Sequence, residues 1–325
     1  MNAAALLSSG KPFLSLGGVE TYLVFQRDFQ LPEFSAFTVF ESETELANLE
    51  ESFLHPTFDS AHQNGFGLLC DCLLWRAAPD YLQRLGYGAD QLESISTGAV
   101  SWMRDSVGRW RARTGVSEDD CPILLAGEIG PRGDGYAIDA GQPVERQAAF
   151  EYHDAQLKCL KGAGVDIVCA LTMTNTAESV GIAEAAKNLA LPLIVSTTVE
   201  TNGTLPDDSA LGDFIWAVDK ATEAYPLFFM VNCAHPTHLD PTLAKATAEG
   251  ASWLERFKGL RANASTKSHA ELDDSNELDA GNPRDLAHRM ARLRETYGLS
   301  LLGGCCGTDA GHIDAIARSC GKPKA

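Results

Sequence analysis

The chain has 325 residues, 45% of them hydrophobic and 22% charged, which is enough apolar material for a large core in one α/β domain or two smaller ones. A formal net charge of -18 with no segregated basic run opposes binding to nucleic acid or to an anionic membrane, so the expected partner is a small molecule. Nine cysteines without a short regular spacing suit a reducing compartment, and a cytoplasmic location is expected. The apolar run at 3–7 is too short for a signal sequence, and no stretch reaches the ~20 residues that a membrane helix needs.

In chain order, eight short apolar runs rich in β-branched residues occupy 13–16, 66–70, 123–126, 165–170, 193–197, 227–232, 257–261 and 299–302. Segments of helical periodicity separate them. That rhythm predicts parallel strands joined by crossover helices, and the count of eight predicts an α/β fold of the (β/α)8 TIM-barrel type, a single domain over 1–325. After the first run, residues 26–42 carry several phenylalanines and Pro32. This segment has enough aromatic surface to pack on a partner subunit or on the barrel floor, which leaves a homo-oligomer open. Residues 264–281 are polar and acidic with no apolar period, and read as a lid or a disordered excursion. Beyond them Asn282 is placed to cap a helix with Pro283 in its first turn, Leu286, Met290, Leu293 and Tyr297 on one face, and Gly298 at its end. The eighth strand follows, and Thr308 is the expected cap of a last helix bearing Ile313, Ile316 and Cys320.

Two adjacent thiols in Gly303-Gly304-Cys305-Cys306-Gly307-Thr308 stand where the eighth strand becomes a helix, and Cys233 closes the sixth strand. Strands six and eight of one barrel end on the same rim, and side chains of even-numbered strands share inward-facing layers. Three soft sulfur donors there can hold one Zn2+ with a fourth position open, and the flanking glycines let the backbone bring two successive sulfurs to one ion. Three thiolates on a dication leave the site with one net negative charge. That favours a substrate thiol that gives up its proton at the fourth position and a cationic methyl donor. The alternatives are inert buried thiols, a vicinal disulfide, or a redox switch on the 305–306 pair. Cys70, Cys72, Cys121, Cys159, Cys169 and Cys320 lack such a setting and are expected to be core or incidental.

These residues resemble the homocysteine S-methyltransferase family over nearly the whole chain. The resemblance rests on Val231-Asn232-Cys233 and on 303–308 followed by His312-Ile313. Gly17-Gly18, 126–131, 164–166 and Arg261-Ala262-Asn263-Ala264-Ser265 support it. It implies Zn2+ held by Cys233, Cys305 and Cys306, and a methyl group passed from a sulfonium, S-methylmethionine or S-adenosylmethionine, to homocysteine or a related small thiol. A different acceptor, a betaine-type donor or a non-catalytic zinc- or thiol-binding barrel are the competing readings. No cobalamin-binding region is visible, so a corrinoid donor would need a partner protein.

Members of that family usually carry an aspartate before the first glycine pair and a glutamate at the end of strand four, where this chain has Leu16 and Leu171. Their loss is expected to leave a less polar wall. Glu20 and Glu128, with Asp71 as a third candidate, are the acids placed to receive an ammonium, alongside Gly17, Gly18 and Asn232 as substrate-binding positions. Asn263, His235 and His312 are secondary candidates for positioning polar groups or the thiol loop. Tyr22 and Phe25 are candidates for an aromatic wall facing a sulfonium or trimethylammonium group.

Overall fold

A computed structural model describes residues 2–133, 135, 144–273 and 277–322. Its strands are β1 (Phe13–Ser15), β2 (Gly67–Asp71), β3 (Ile123–Ile129), β4 (Ile167–Met173), β5 (Leu193–Thr197), β6 (Phe228–Ala234), β7 (Phe257–Ala262) and β8 (Leu301–Gly304). They close in chain order into a parallel barrel, with β8 returning to β1 through Phe13 opposite Leu301 and Leu14 opposite Leu302. All eight expected runs are strands. The main shifts are at β3 and β4, which run on to Ile129 and Met173, and at β8, which ends at Gly304 and so delivers Cys305 directly onto the rim.

The two-residue side-chain period of a strand sorts the apolar residues into two cores. Leu69, Ile167, Cys169, Ile194, Met230 and Leu301 fill the barrel, whereas Leu14, Leu16, Val168, Val195, Val231 and Leu302 pack against the surrounding helices. Helix Ala3–Leu7 closes the floor, where Ala3 and Leu7 join Phe13 and Phe228. The 26–42 segment therefore does not reach the floor. It forms the short turns Pro32–Phe34 and Ala36–Glu41, sets Phe37 against Tyr87 and Phe40 against Trp102 at ring distances of 5.6 and 5.7 Å, and brings Phe34 to the barrel mouth.

Helix Pro283–Tyr297 ends as expected. Asn282 accepts from the Arg284 and Asp285 amides at 2.9 and 3.2 Å, and Gly298 adopts a left-handed conformation at the other end. The last helix, Ala310–Cys320, is capped by Asp309 rather than Thr308. Thr308 is drawn back into the preceding turn, where its hydroxyl donates to the Cys305 carbonyl at 2.6 Å. Among the described residues no helix is long and apolar enough to cross a membrane.

Candidate functional site

The sulfurs of Cys233, Cys305 and Cys306 lie within 4.8 Å of one another at the C-terminal mouth of the barrel. Each strand reaches this point by a local departure from regular geometry. On β6 the pairing with β7 skips from Asn232 opposite Arg261 to Ala234 opposite Ala262, so Cys233 is a bulged extra residue, with φ +57°. A non-glycine residue held there costs about 1–3 kcal/mol, which the surrounding structure must offset. On β8 the thiol turn nests against the end of β1. The Gly18 amide donates to the Thr308 carbonyl at 3.0 Å, and a Cβ on Gly18 would lie 2.5 Å from the Cys305 carbonyl oxygen. Further bonds from Cys305 N to Ala262 O at 2.8 Å and from Ala264 N to Cys306 O at 3.1 Å tie the turn to β7.

The donor set suits a soft dication. Zinc–sulfur bonds of ~2.3 Å put tetrahedral sulfurs ~3.8 Å apart, so side-chain rotations alone bring the three thiols into place. Contact with the Cys233 thiol, with burial, pushes Cys305 up to about 12, and the same causes hold Cys306 well above the ordinary thiol range. Three thiolates this close need a compensating cation. Asn263 supports the cluster by donating its side-chain amide to the Cys233 sulfur at 3.7 Å.

Beside Cys305 and Cys306 opens a small cleft of about 50 Å³, with Gly17 and Gly18 at one edge. Glu20, Asp71, Glu128 and Asn232 also line it, as does Arg261, which the sequence motif contained but did not single out. Glu20 is the acid with carboxylate oxygens to spend. Burial, with Cys305 and Asp71 nearby, raises it to about 7, and among the described residues no other side chain donates to it. Asp71 is not open to an ammonium as expected, because Arg261 reaches across the barrel from β7 and grips both of its oxygens; the pair is buried, at 4% and 5% exposure. The Glu128 carboxylate faces the cleft but accepts the amides of Cys72, Leu73 and Leu74 at 3.0, 2.9 and 3.3 Å, which fixes the turn after β2. Burial and Asp71 push Glu128 well above the carboxylate range while these amides pull it down.

Several expected positions fall elsewhere. Leu16 is fully buried in the layer between barrel and helices, one residue out of phase with the cleft, so only Leu171 replaces a polar wall. Tyr22 packs in the core against Phe53 at 5.1 Å and Phe25 is 43% exposed, so neither builds an aromatic wall. Phe34 and Trp75 do, with the Trp75 indole donating to the Leu171 carbonyl at 3.3 Å. Phe34 lay in a segment whose aromatic richness was visible, but not its direction. His235 caps helix Pro236–Glu249 and is lowered to about 4 by burial. His312 completes the Asp309 capping box and donates to the Ala280 carbonyl at 2.9 Å. The six remaining cysteines form no disulfide and stand apart from the cluster.

Of the 264–281 segment, residues 274–276 lie outside the described residues. The rest is docked on the site. Ser265 bonds Asp279 at 2.7 Å, and His269, in helix His269–Asp273, donates from Nε2 to the Cys233 carbonyl at 2.8 Å with Glu200 3.3 Å from Nδ1.

A family model described as homocysteine S-methyltransferase matches residues 17–320. Homocysteine S-methyltransferase 4 of Zea mays is 25% identical over 265 residues, covering 75% of this chain and 73% of that protein. Methionine synthase of Mycobacterium leprae is 33% identical over 132 residues, 39% of this chain and 10% of that protein. In three dimensions the homocysteine methyltransferase MmuM of Escherichia coli, in its oxidized form, superposes with a TM-score of 0.73 at 19% identity, covering 97% of this chain and 98% of that one. Its metallated form gives 0.71 at 20% identity and the same coverage.

Proposed function

The chain belongs to the homocysteine S-methyltransferase family and is a methyltransferase, and on that premise we propose that it transfers a methyl group from a sulfonium donor, S-methylmethionine or S-adenosylmethionine, to homocysteine with the help of Zn2+. The observation that carries this reading is the convergence of Cys233, Cys305 and Cys306 beside a cleft lined by Glu20, Glu128, Asn232 and Arg261. A metallated form of the Escherichia coli fold neighbour supports it. Bound zinc would supply Lewis acidity, making a thiolate of the acceptor at neutral pH without a general base.

The chain's own residues then do the positioning. Glu20 receives the acceptor's ammonium at the cleft edge formed by Gly17 and Gly18, while Glu128 and Asn232 hold the opposite side through their backbone contacts. With Asp71 paired to Arg261, the Glu20 carboxylate and the thiol cluster are the negative groups at the cleft that favour a cationic donor over an anionic one. Phe34 and Trp75 give its methyl-bearing cation an aromatic face. In a single in-line displacement the acceptor sulfur forms a bond to the methyl carbon as the donor's S–CH3 bond breaks. The electron pair stays on the donor sulfur, which leaves as a neutral thioether, and the thiol proton is released to solvent. A cytoplasmic setting belongs to the same reading, since none of the nine cysteines forms a disulfide.

The test is to incubate zinc-loaded protein with homocysteine and each donor and to follow methionine by mass spectrometry. Methionine formed with either sulfonium, and lost in Cys233→Ser, is the expected result. Zinc-loaded protein that makes methionine with neither donor would overturn the reading. Methylation of another thiol instead would assign a different acceptor, in keeping with Leu171 in the wall.

A further inference from the structure

We propose that Asn232 is a positioning residue that sets the metal ligand Cys233 by bolting together two left-handed strand ends; this rests on the assignment of Cys233 to the metal. The cluster strand β6 is not the only one broken at the rim. The pairing of β4 with β5 passes from Ala170 opposite Val195 to Met173 opposite Thr197, so one extra residue is accommodated there, and Thr172 has φ +62°. A β-branched residue in that region is a genuine outlier and needs partners that hold it.

Asn232 supplies them. Its Oδ1 accepts the Thr172 amide at 2.8 Å and the Ser196 hydroxyl at 2.6 Å, while its Nδ2 donates to the Thr172 hydroxyl at 2.8 Å. One side-chain amide, 2% exposed, thus spans the ends of β4, β5 and β6. The next residue along β6 is Cys233, whose own bulge begins where this bracket ends. With the Asn232 side chain fixed to β4, the backbone leaving it has one direction, and that direction aims the Cys233 sulfur at Cys305 and Cys306. Three of the amide's hydrogen-bonding positions are spent on this bracket, so its use lies in the geometry of a neighbour more than in contact with substrate.

The experiment compares wild type, Asn232→Ala and Ser196→Ala for zinc affinity by chelator competition, for the cobalt(II)–thiolate absorption of the cobalt-loaded proteins, and for acceptor KM at saturating zinc. Ser196 is fully buried and outside the cleft lining, so its variant reports on the bracket even where Asn232→Ala fails to fold. The expected result is a loss of zinc affinity on the order of tenfold or more in Asn232→Ala. A smaller loss in the same direction is expected in Ser196→Ala, with a shifted cobalt spectrum in both and an unchanged KM for Ser196→Ala. Wild-type affinity and spectrum in both variants, or a raised KM with metal binding intact, would overturn the assignment to Asn232. Wild-type protein that binds neither zinc nor cobalt would remove the metal reading itself, which is a separate outcome.

Discussion

The side-chain amide of Asn263 points at the sulfur of Cys233, 3.7 Å away, while its oxygen accepts the Ser265 amide at 3.0 Å. A ligand sulfur that receives a hydrogen bond carries its negative charge more easily. Asn263→Ala is therefore expected to weaken zinc binding by roughly 10- to 100-fold, as measured by competition with a chromophoric chelator, and to cost about 1–3 kcal/mol of stability through the unpaired Ser265 amide.

The proposed role of Glu20, receiving an ammonium, predicts that the protein separates homocysteine from thiols that lack its amino group. Wild-type kcat/KM should favour homocysteine over a des-amino thiol of equal length by at least ~10-fold, or ~1.4 kcal/mol, and Glu20→Gln should abolish that preference while leaving turnover of the des-amino thiol intact. A preference that survives in the variant would place the ammonium elsewhere.

Asp71 and Arg261 form a buried pair, so the cost of breaking it exceeds the worth of having it. Asp71→Ala leaves a guanidinium without its partner and should destabilise the fold by about 3–5 kcal/mol in urea titrations. Replacing both residues with apolar ones of similar volume should recover most of that loss.

Asp309 is held down to about 2, chiefly by the His312 side chain it caps. A depressed carboxyl stabilises the fold above its unfolded value of ~3.9, and the contribution disappears as pH falls through its folded value. Asp309→Ala should cost about 1 kcal/mol at pH 7, with the gap from wild type closing between pH ~4 and ~2. Urea unfolding at pH 7, 4 and 3 measures it.

The barrel was legible because its signals are local. Runs such as Leu193–Thr197 are continuous and apolar, as strands covered on both faces must be, and Asn282, Pro283 and Gly298 punctuate a helix by their own chemistry. The three cysteines were legible for the same reason, since each ends a recognisable strand. What stayed hidden depends on direction or on distance. Leu16 and Leu171 look alike in sequence and face opposite sides of the wall, and Asp71 meets Arg261 from 190 positions away. The left-handed turns at Thr172 and Cys233 have no glycine to announce them, because tertiary contacts rather than local preference impose them. The 264–281 segment has no apolar period, yet His269 bonds it to the Cys233 carbonyl and His312, in the last helix, bonds its Ala280 carbonyl.

Trp75 stands in the cleft wall with 9% of its surface exposed and its indole nitrogen engaged by Leu171. Its fluorescence gives the protein a built-in optical probe of occupancy, since a ligand arriving there changes the indole's surroundings directly. Trp216, 61% exposed with the Lys220 ammonium 4.4 Å above its ring, is the main source of solvent-quenched background. Exchanging it for phenylalanine would remove the most exposed indole and leave Trp75 with Trp102, Trp110 and Trp253, which are buried or half-buried. Donor and acceptor docking could then be timed separately, in stopped flow, before any methyl group has moved.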